Sequence, residues 1–351
     1  MTTTDLTRPS YTVRDFQAED EENVLGLLRL TLGDGGSFSR TTDFWRWKHF
    51  QNPFGVSQLL VAANHEVLGL RAFMRWGFKT PTGRLSAVRA VDTSTHLGYQ
   101  RMGIFSRLTQ ASLERAKAEG VNMIFNTPNP RSMAGYLKLG WQAVGRPRLM
   151  IKPLNLLRMA PALLLKPRTK LPPDAVPDFF RSAPRPVDAV FDHADRVGQM
   201  LEFDDGLHAQ GIRTERSLAY LRWRYGAAPS LSYFAFWTGD RPVTGLTIFR
   251  PNVRNGLREI MLCEFLIGYG AAPHARELIG QLARLVRADY LVAAATPGTY
   301  HWGTLRRAGF ITLPPQMGPN LTVLRLNWPD GALDPHRLEN WQLSLGDLEI
   351  F

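Results

Sequence analysis

The sequence predicts an α/β protein made of two similar domains in tandem. Segments with the alternation and β-branched residues of strands are interleaved with segments whose apolar residues recur at helical spacing, which is typical of α/β folds. Several short motifs occur twice at a fixed distance along the 351 residues, which indicates an internal duplication. The single cysteine, Cys263, excludes an intramolecular disulfide framework.

The first domain is predicted over residues 8–152. A short strand leads to Asp20, which precedes a helix with its apolar residues on one face. Three strand-like segments follow, at residues 58–63, 67–78 and 84–95. A helix over residues 106–119 then ends at Gly120. After it come a buried strand at residues 121–127 and a short helix that runs into a further strand at residues 132–141.

Residues 153–197 interrupt this alternation. Five prolines fall between residues 154 and 180, and no sustained strand pattern is present, so we expect a linker or a bridging segment. The second domain is then predicted over residues 198–330, and residues 331–351 are expected to form a C-terminal tail.

The repeated motifs define the duplication. FWRWK at residues 44–48 is matched by YLRWR 176 positions later, and Gly69 by Gly245 at the same distance. Further along, Thr127 and Gly140 are matched at a distance of 169, by Thr296 and Gly309. The seven missing residues lie between Gly245 and Thr296, so the second copy is expected to keep the scaffold and to have lost the turn described next.

The segment YQRMGIFSRL, residues 99–108, places a glycine in a polar turn between a strand and a helix. Such a turn exposes backbone N–H groups at the positive end of the helix, which is the environment that binds phosphate groups. Gly103 allows a ligand to approach without a Cβ in the way. The sequence therefore predicts an anion site formed by the amides of residues 101–106.

The order of these motifs resembles the GNAT superfamily of N-acyltransferases, which use acetyl-CoA. The turn of that family is Gln/Arg-x-x-Gly-x-Gly/Ala; this chain has QRMGIF and departs at its last position, where a phenylalanine replaces a small residue. The downstream pattern NxxSxxxYxxxGW at residues 129–141 adds to the likeness. The resemblance implies two mixed, mostly antiparallel sheets flanked by helices, and it assigns contacts with acetyl-CoA to Thr93, Ser94, Gln100, Arg101, Met102, Gly103, Ile104, Phe105, Ser106 and Asn129.

The resemblance also implies roles in catalysis. A backbone N–H near Thr93 or Ser94 would bind the thioester carbonyl as its negative charge grows. Tyr136 holds the place of the tyrosine that protonates the departing thiolate, and Asp92 is the candidate base. Other interpretations remain open: a core tyrosine, an ion-paired aspartate beside Arg89 or Arg75, and for Asn129 a residue of the turn.

Trp45, Trp47 and Phe50 lie near the place where the family has its acceptor-binding helices. They are candidates for lining a substrate cleft. Because the same motif recurs in the second copy, packing is the alternative, with Arg46 and Arg222 bonded inside their own domains.

The charge and composition limit the classes of ligand and partner that the sequence predicts. The net charge of +11 favours anionic ligands, but the cations are spread along the chain and no nucleic-acid-binding module accompanies them. No signal pattern and no long apolar run is present, so a cytoplasmic protein without a membrane span is expected. The histidines lack metal-binding spacings, so no metal is expected, and His208 and His274 are interpreted as surface or core residues.

The sequence as a whole predicts an N-acyltransferase. It would transfer an acetyl group from acetyl-CoA to the primary amine of a small molecule, by direct attack in a ternary complex. A non-catalytic acyl-CoA sensor or scaffold and an aminoacyl-tRNA-dependent transferase are the alternatives, and the acceptor, the acyl chain length and the oligomeric state are left open.

Overall fold

The computed structural model describes residues 10–33, 39–159, 178–239, 243–268 and 272–348. Helices in these segments are α1 (Glu21–Leu32), α2 (Thr42–Phe50), α3 (Ile104–Ala118), α4 (Pro130–Lys138), α5 (Val187–Phe191), α6 (Ala194–Leu207), α7 (Leu218–Leu221), α8 (Ala272–Leu285), α9 (Tyr300–Arg307) and α10 (Leu345–Leu348). None of the helices in these segments is long and apolar enough to cross a membrane.

The strands form two sheets. Their bounds are β1 (Thr12–Asp15), β2 (Gln58–Ala63), β3 (Val67–Thr80), β4 (Gly83–Thr95), β5 (Met123–Asn126), β6 (Gln142–Gly145), β7 (Arg148–Pro153), β8 (Arg185–Pro186), β9 (Arg213–Thr214), β10 (Phe234–Thr238), β11 (Gly245–Arg254), β12 (Leu257–Ile267), β13 (Tyr290–Ala295), β14 (Ile311–Thr312) and β15 (Leu321–Arg325). The first sheet has the order β1-β2-β3-β4-β5-β15-β6, with β9 beside β3, and the second has the order β14-β7-β13-β12-β11-β10-β8.

Both sheets are mixed and mostly antiparallel, which confirms the predicted fold class. One parallel pair occurs in each, β4 with β5 and β12 with β13. Every other pairing among these strands is antiparallel. The two sheets therefore repeat one arrangement of strands, which is consistent with tandem domains.

The two halves exchange a strand. β7 lies between β13 and β14 in the second sheet, while β15 lies between β5 and β6 in the first. The pairs Ile151 with Val292 and Ile124 with Leu324 are in register across these exchanged edges. Each sheet thus depends on a strand from the other half of the chain, so the predicted domain boundaries at residues 152 and 330 do not separate the hydrogen bonding.

The predicted linker and tail contain ordered structure. β8 and α5 lie within residues 153–197, and β8 pairs with β10; residues 160–177 of this segment lie outside the described part. In the predicted tail, Trp341 and Asp347 are buried. Arg89 of β4 donates to the Asp347 carbonyl at 2.7 Å, so the C-terminal segment packs directly on the first sheet.

The repeated aromatic motif joins the two halves. The indole N–H of Trp47 donates to the Trp223 carbonyl at 2.7 Å, and that of Trp223 donates to the Trp47 carbonyl at 2.9 Å. The two rings stack with centroids 5.3 Å apart. Arg46 pairs with Glu21 and Arg222 donates to the Phe191 carbonyl, each within its own half, as the packing alternative predicts.

Gly69 and Gly245 explain why glycine recurs at this position of the repeat. A Cβ at Gly69 would come within 2.5 Å of the Ile104 side chain at the start of α3, and one at Gly245 within 3.1 Å of Leu278 in α8. The absence of a side chain lets each helix approach its sheet closely. This contact sets the position of the helix start that forms the candidate site.

Candidate functional site

β4 and β5 separate at the centre of the first sheet. Their parallel pairing covers only Ala87 to Arg89 on β4, although β4 continues to Thr95. The strand therefore has unpaired backbone groups on this edge, the splay that the resemblance implies. Because buried backbone groups need partners, this edge is suited to hydrogen-bonding a ligand.

A bulge occurs where the strands separate. Leu70 pairs with Ser94 and Ala72 with Val91, so Asp92 and Thr93 together oppose a single residue of β3. Asp92 has a φ of 41°, which is rare for a residue with a side chain. Bulges of this kind redirect strands beside functional sites, and this one turns β4 toward the start of α3.

The turn before α3 leaves backbone N–H groups without acceptors. Gly103 caps the helix with a φ of 79° in the left-handed region, where glycine is favoured. Within the described part of the chain, the N–H groups of residues 103–106 have no protein acceptor, and a Cβ at Gly103 would meet nothing within 4 Å. Four donors at a helix N-terminus are thus free for an anion.

The bulge and the turn border one pocket of about 560 Å³, a volume ordinary for a small-molecule site. Its lining contains most of the predicted acetyl-CoA contacts and residues from α1 and the preceding turn: Thr31, Leu32, Thr93, Ser94, Thr95, Tyr99, Gln100, Arg101, Gly103, Ile104, Phe105 and Ser106. Met102 is half-buried and outside this lining. Asn129 is also outside it and caps α4, accepting from the Ser132 amide at 2.9 Å.

Tyr136 lies one layer behind the pocket. Its ring is buried and meets Phe105, which lines the pocket, edge to face at 6.0 Å between centroids. The Phe105 ring occupies space beside Gly135, where a Cβ would lie 3.4 Å from it. The departure from the family turn at Phe105 therefore places an aromatic ring between Tyr136 and the pocket.

Arg71 connects Tyr136 to the bulge, and sequence reasoning missed it. Its side chain is fully buried, and one nitrogen donates to both Thr93 Oγ1 at 2.8 Å and Tyr136 Oη at 3.1 Å. The guanidinium faces the rings of Phe73, Phe105 and Tyr136 at 4.8, 5.5 and 5.1 Å. Its Nε and its second terminal nitrogen have no hydrogen-bond acceptor. These buried N–H groups are therefore available to a ligand. The available signal was an arginine flanked by apolar residues near the start of the strand VLGLRAFMRWGF.

Asp92 is held in a cluster of donors beneath the bulge. Its carboxylate contacts Lys48 Nζ at 2.6 Å, His49 Nε2 at 3.0 Å and Arg40 at 3.3 Å. Burial alone would raise the pKa of the Asp92 carboxyl, but Lys48 and His49 overcome this effect and hold that pKa well below its usual range. Such a carboxylate is a weak base, so the geometry favours an anchoring role, with partners other than Arg89 and Arg75.

His49 continues this cluster away from the pocket. Burial lowers the pKa of its imidazole, although Asp92 opposes the change, so the ring is neutral at neutral pH. Nε2–H then donates to Asp92, and Nδ1 accepts from the Ser57 hydroxyl at 3.0 Å. The arrangement fixes α2 against the bulge.

The predicted substrate aromatics do not line this pocket. Trp45 is buried, with its ring 4.1 Å from that of His49, and Trp47 is part of the contact between the halves. Phe50 is 38% exposed and borders a separate groove of about 420 Å³ with Phe16 and Arg46. Their part in acceptor binding stays a prediction.

The sequence also predicts that the second half has lost this turn. The counterpart of the turn falls on residues 269–271, which lie outside the described residues. The predicted loss of the anion site there stays a prediction.

The first half of the chain is similar to a known protein family. Residues 12–144 match the family model of the acetyltransferase (GNAT) domain. No curated protein matches the chain.

Solved structures resemble the chain over most of its length. One is a GCN5-related N-acetyltransferase from Anabaena variabilis, with a TM-score of 0.63 and 13% identity over 91% of this chain and 73% of that chain. A probable N-acyltransferase from Enterococcus faecalis, described as a conserved protein of unknown function, has a TM-score of 0.62 and 11% identity over the same shares. The Saccharomyces cerevisiae N-myristoyltransferase with bound myristoyl-CoA has a TM-score of 0.56 and 12% identity over 95% of this chain and 86% of that chain. At these identities the likeness shows the fold, and the family model adds a match to the GNAT acetyltransferase domain over residues 12–144.

Proposed function

We propose that the chain is an N-acyltransferase that moves an acetyl group from acetyl-CoA to the primary amine of a small molecule. The single observation that carries the proposal is the row of free amides at residues 103–106, facing a pocket beside an unpaired strand edge. CoA needs both features, because its diphosphate requires donors and its pantetheine arm requires an edge to pair with. The myristoyl-CoA bound to the yeast neighbour supports an acyl-CoA ligand for this fold.

In this proposal the thioester lies against the bulge of β4. A backbone N–H at Thr93 or Ser94 donates to the carbonyl oxygen as the tetrahedral intermediate forms. The amine attacks the carbonyl carbon directly, the carbon–sulfur bond breaks, and the proton lost by the amine leaves to solvent. Asp92 is not assigned as the base, since its carboxylate is engaged by Lys48, His49 and Arg40.

Tyr136 is proposed to protonate the departing thiolate, with Arg71 holding its hydroxyl. Tyr136 lies outside the pocket lining and packs against the Phe105 ring, so this role requires that ring to move when acyl-CoA binds. Lid and side-chain movements of this kind accompany substrate binding in many enzymes.

The test is thiol release from acetyl-CoA with a panel of amines. We expect wild-type release with at least one amine, and a fall in kcat of about 100-fold in Tyr136→Phe with KM for acetyl-CoA retained. Tyr99→Phe, which removes a hydroxyl at the pocket, is the matched control and should retain activity.

Other outcomes distinguish the alternatives. Binding of acetyl-CoA without thiol release for any amine would support a sensor. Salt-dependent binding of tRNA, without binding of free CoA, would support aminoacyl transfer. Full activity in Tyr136→Phe would remove that residue from the mechanism.

A further inference from the structure

Three potential metal ligands converge in the second half, away from the pocket. Asp204 and His208 are four residues apart at the end of α6, so they lie on one face of the helix. His301 belongs to the first turn of α9. One ligand atom from each residue lies within 4.8 Å of the other two.

Three polar atoms of this cluster are buried and lack a hydrogen bond. Asp204 and His208 are 4% and 3% exposed. Asp204 Oδ1 and both ring nitrogens of His208 have no hydrogen-bond partner. Buried polar atoms without partners are rare and costly, so each such group calls for a ligand, an ion or an ordered water.

The orientation of His301 matches that of a ligand histidine. Its Nε2 contacts the Phe265 carbonyl oxygen of β12. Metal-binding histidines commonly donate one ring N–H to a backbone carbonyl, which fixes the ring and leaves the other nitrogen with its lone pair. The cluster thus contains both a buried set of donors and a contact that orients one of them.

We propose that Asp204, His208 and His301 bind one divalent transition-metal ion, for which Zn²⁺ is the best chemical match. Two imidazoles and one carboxylate are typical zinc ligands, with water in the fourth position. Tetrahedral zinc places its donors roughly 3.3 Å apart. His208 Nε2 lies 3.4 Å from Asp204 Oδ1, close to this separation. Since Nε2 of His301 contacts the Phe265 carbonyl, Nδ1 is the nitrogen by which His301 would bind the ion.

The ion would join α6 to α9 within the second half. None of its ligands lines the acyl-CoA pocket, so the proposal does not depend on acyl transfer. We expect metal to raise the melting temperature of the chain and to leave acetyl-CoA binding unchanged.

The experiment uses the full chain after treatment with EDTA and dialysis. Calorimetric titration with Zn²⁺ should give one equivalent bound per chain, and the affinity should fall about 100-fold in His301→Ala and in Asp204→Asn. His336→Ala is the matched control. His336 Nδ1 lies 3.4 Å from Asp334, but among the described residues no third metal-binding side chain joins this pair. The variant should bind zinc as the wild type does.

A second measurement needs no substitution. Co²⁺ added to the wild-type chain should give the intense visible absorption of a four-coordinate ion, and Zn²⁺ should abolish it. Absence of that absorption together with absence of stoichiometric Zn²⁺ binding would overturn the proposal, as would equal loss of binding in His336→Ala.

Discussion

We propose Arg71 as a positioning residue of the candidate site. It donates to Thr93 beside the bulge and to the hydroxyl of Tyr136, and no carboxylate among the described residues neutralises it. Arg71→Met keeps the length of the side chain and removes the donors. We expect kcat to fall tenfold or more with KM for acetyl-CoA nearly unchanged, because the group acts through Tyr136.

The stability of this variant separates the two interpretations of Arg71. A buried cation without an anionic partner adds little to stability, so the melting temperature of Arg71→Met should stay within a few degrees. A large loss of stability with unchanged kcat would assign Arg71 to the core instead. Arg71→Lys, which keeps the charge but has no planar fork, should recover part of the rate.

The ion pairs of Asp92 predict that the protein loses stability at acidic pH. The pKa of Asp92 is lower in the folded chain than its usual value of 3.8, so its stabilisation is present above about pH 4 and is lost as the pH falls below that value. Urea unfolding from pH 7 to pH 3 should show a steeper loss of stability in the wild type than in Asp92→Asn. Equal slopes would contradict the pairing with Lys48 and His49.

Among the helices, α3 is flanked by two glycines, and the one after its end serves as a control for the one in the turn before it. Gly103 and Gly120 flank the helix with φ values of 79° and 73°, and a Cβ would meet nothing within 4 Å at either. Alanine at each position should therefore lower the free energy of unfolding by about 1 kcal/mol. Only Gly103→Ala should also weaken binding of acetyl-CoA, measured by calorimetry. Equal affinity in the two variants would contradict a phosphate site at the turn.

The sequence predicted individual helices, strands and turns, but it did not predict which strands pair with one another. The turn at Gly103 and the helix after it follow from a glycine and an amphipathic segment, which are local signals. The exchange of β7 and β15 depends on which sheet edge each strand meets, and either strand fits either edge by its own pattern. Arg71 and the spacing of Asp204 and His208 carried visible signals that gain meaning only when burial is known.

At the scale of the molecule, the strand exchange predicts that the halves are not independent. A fragment of residues 1–159 retains β7 and lacks β15, so β5 and β6 lose the strand between them. Open sheet edges promote aggregation, and the fragment should be unfolded or aggregated by circular dichroism and sedimentation.

The complete chain should unfold in a single calorimetric transition, because each sheet requires both halves. Two resolved transitions, or a fragment with native near-ultraviolet dichroism, would contradict this coupling. The pairing of Trp47 with Trp223 reinforces it, since each indole donates to the other half.

The proposed function depends on the free amides near Gly103 binding the diphosphate of an acyl-CoA. Its most direct test compares acetyl-CoA with acetyl-pantetheine, which carries the same thioester without the diphosphate, by calorimetric titration of the complete chain. We expect acetyl-CoA to bind and acetyl-pantetheine to bind at least 100-fold more weakly, a difference of about 2.7 kcal/mol. Equal affinity for the two compounds, or no binding of acetyl-CoA, would contradict it.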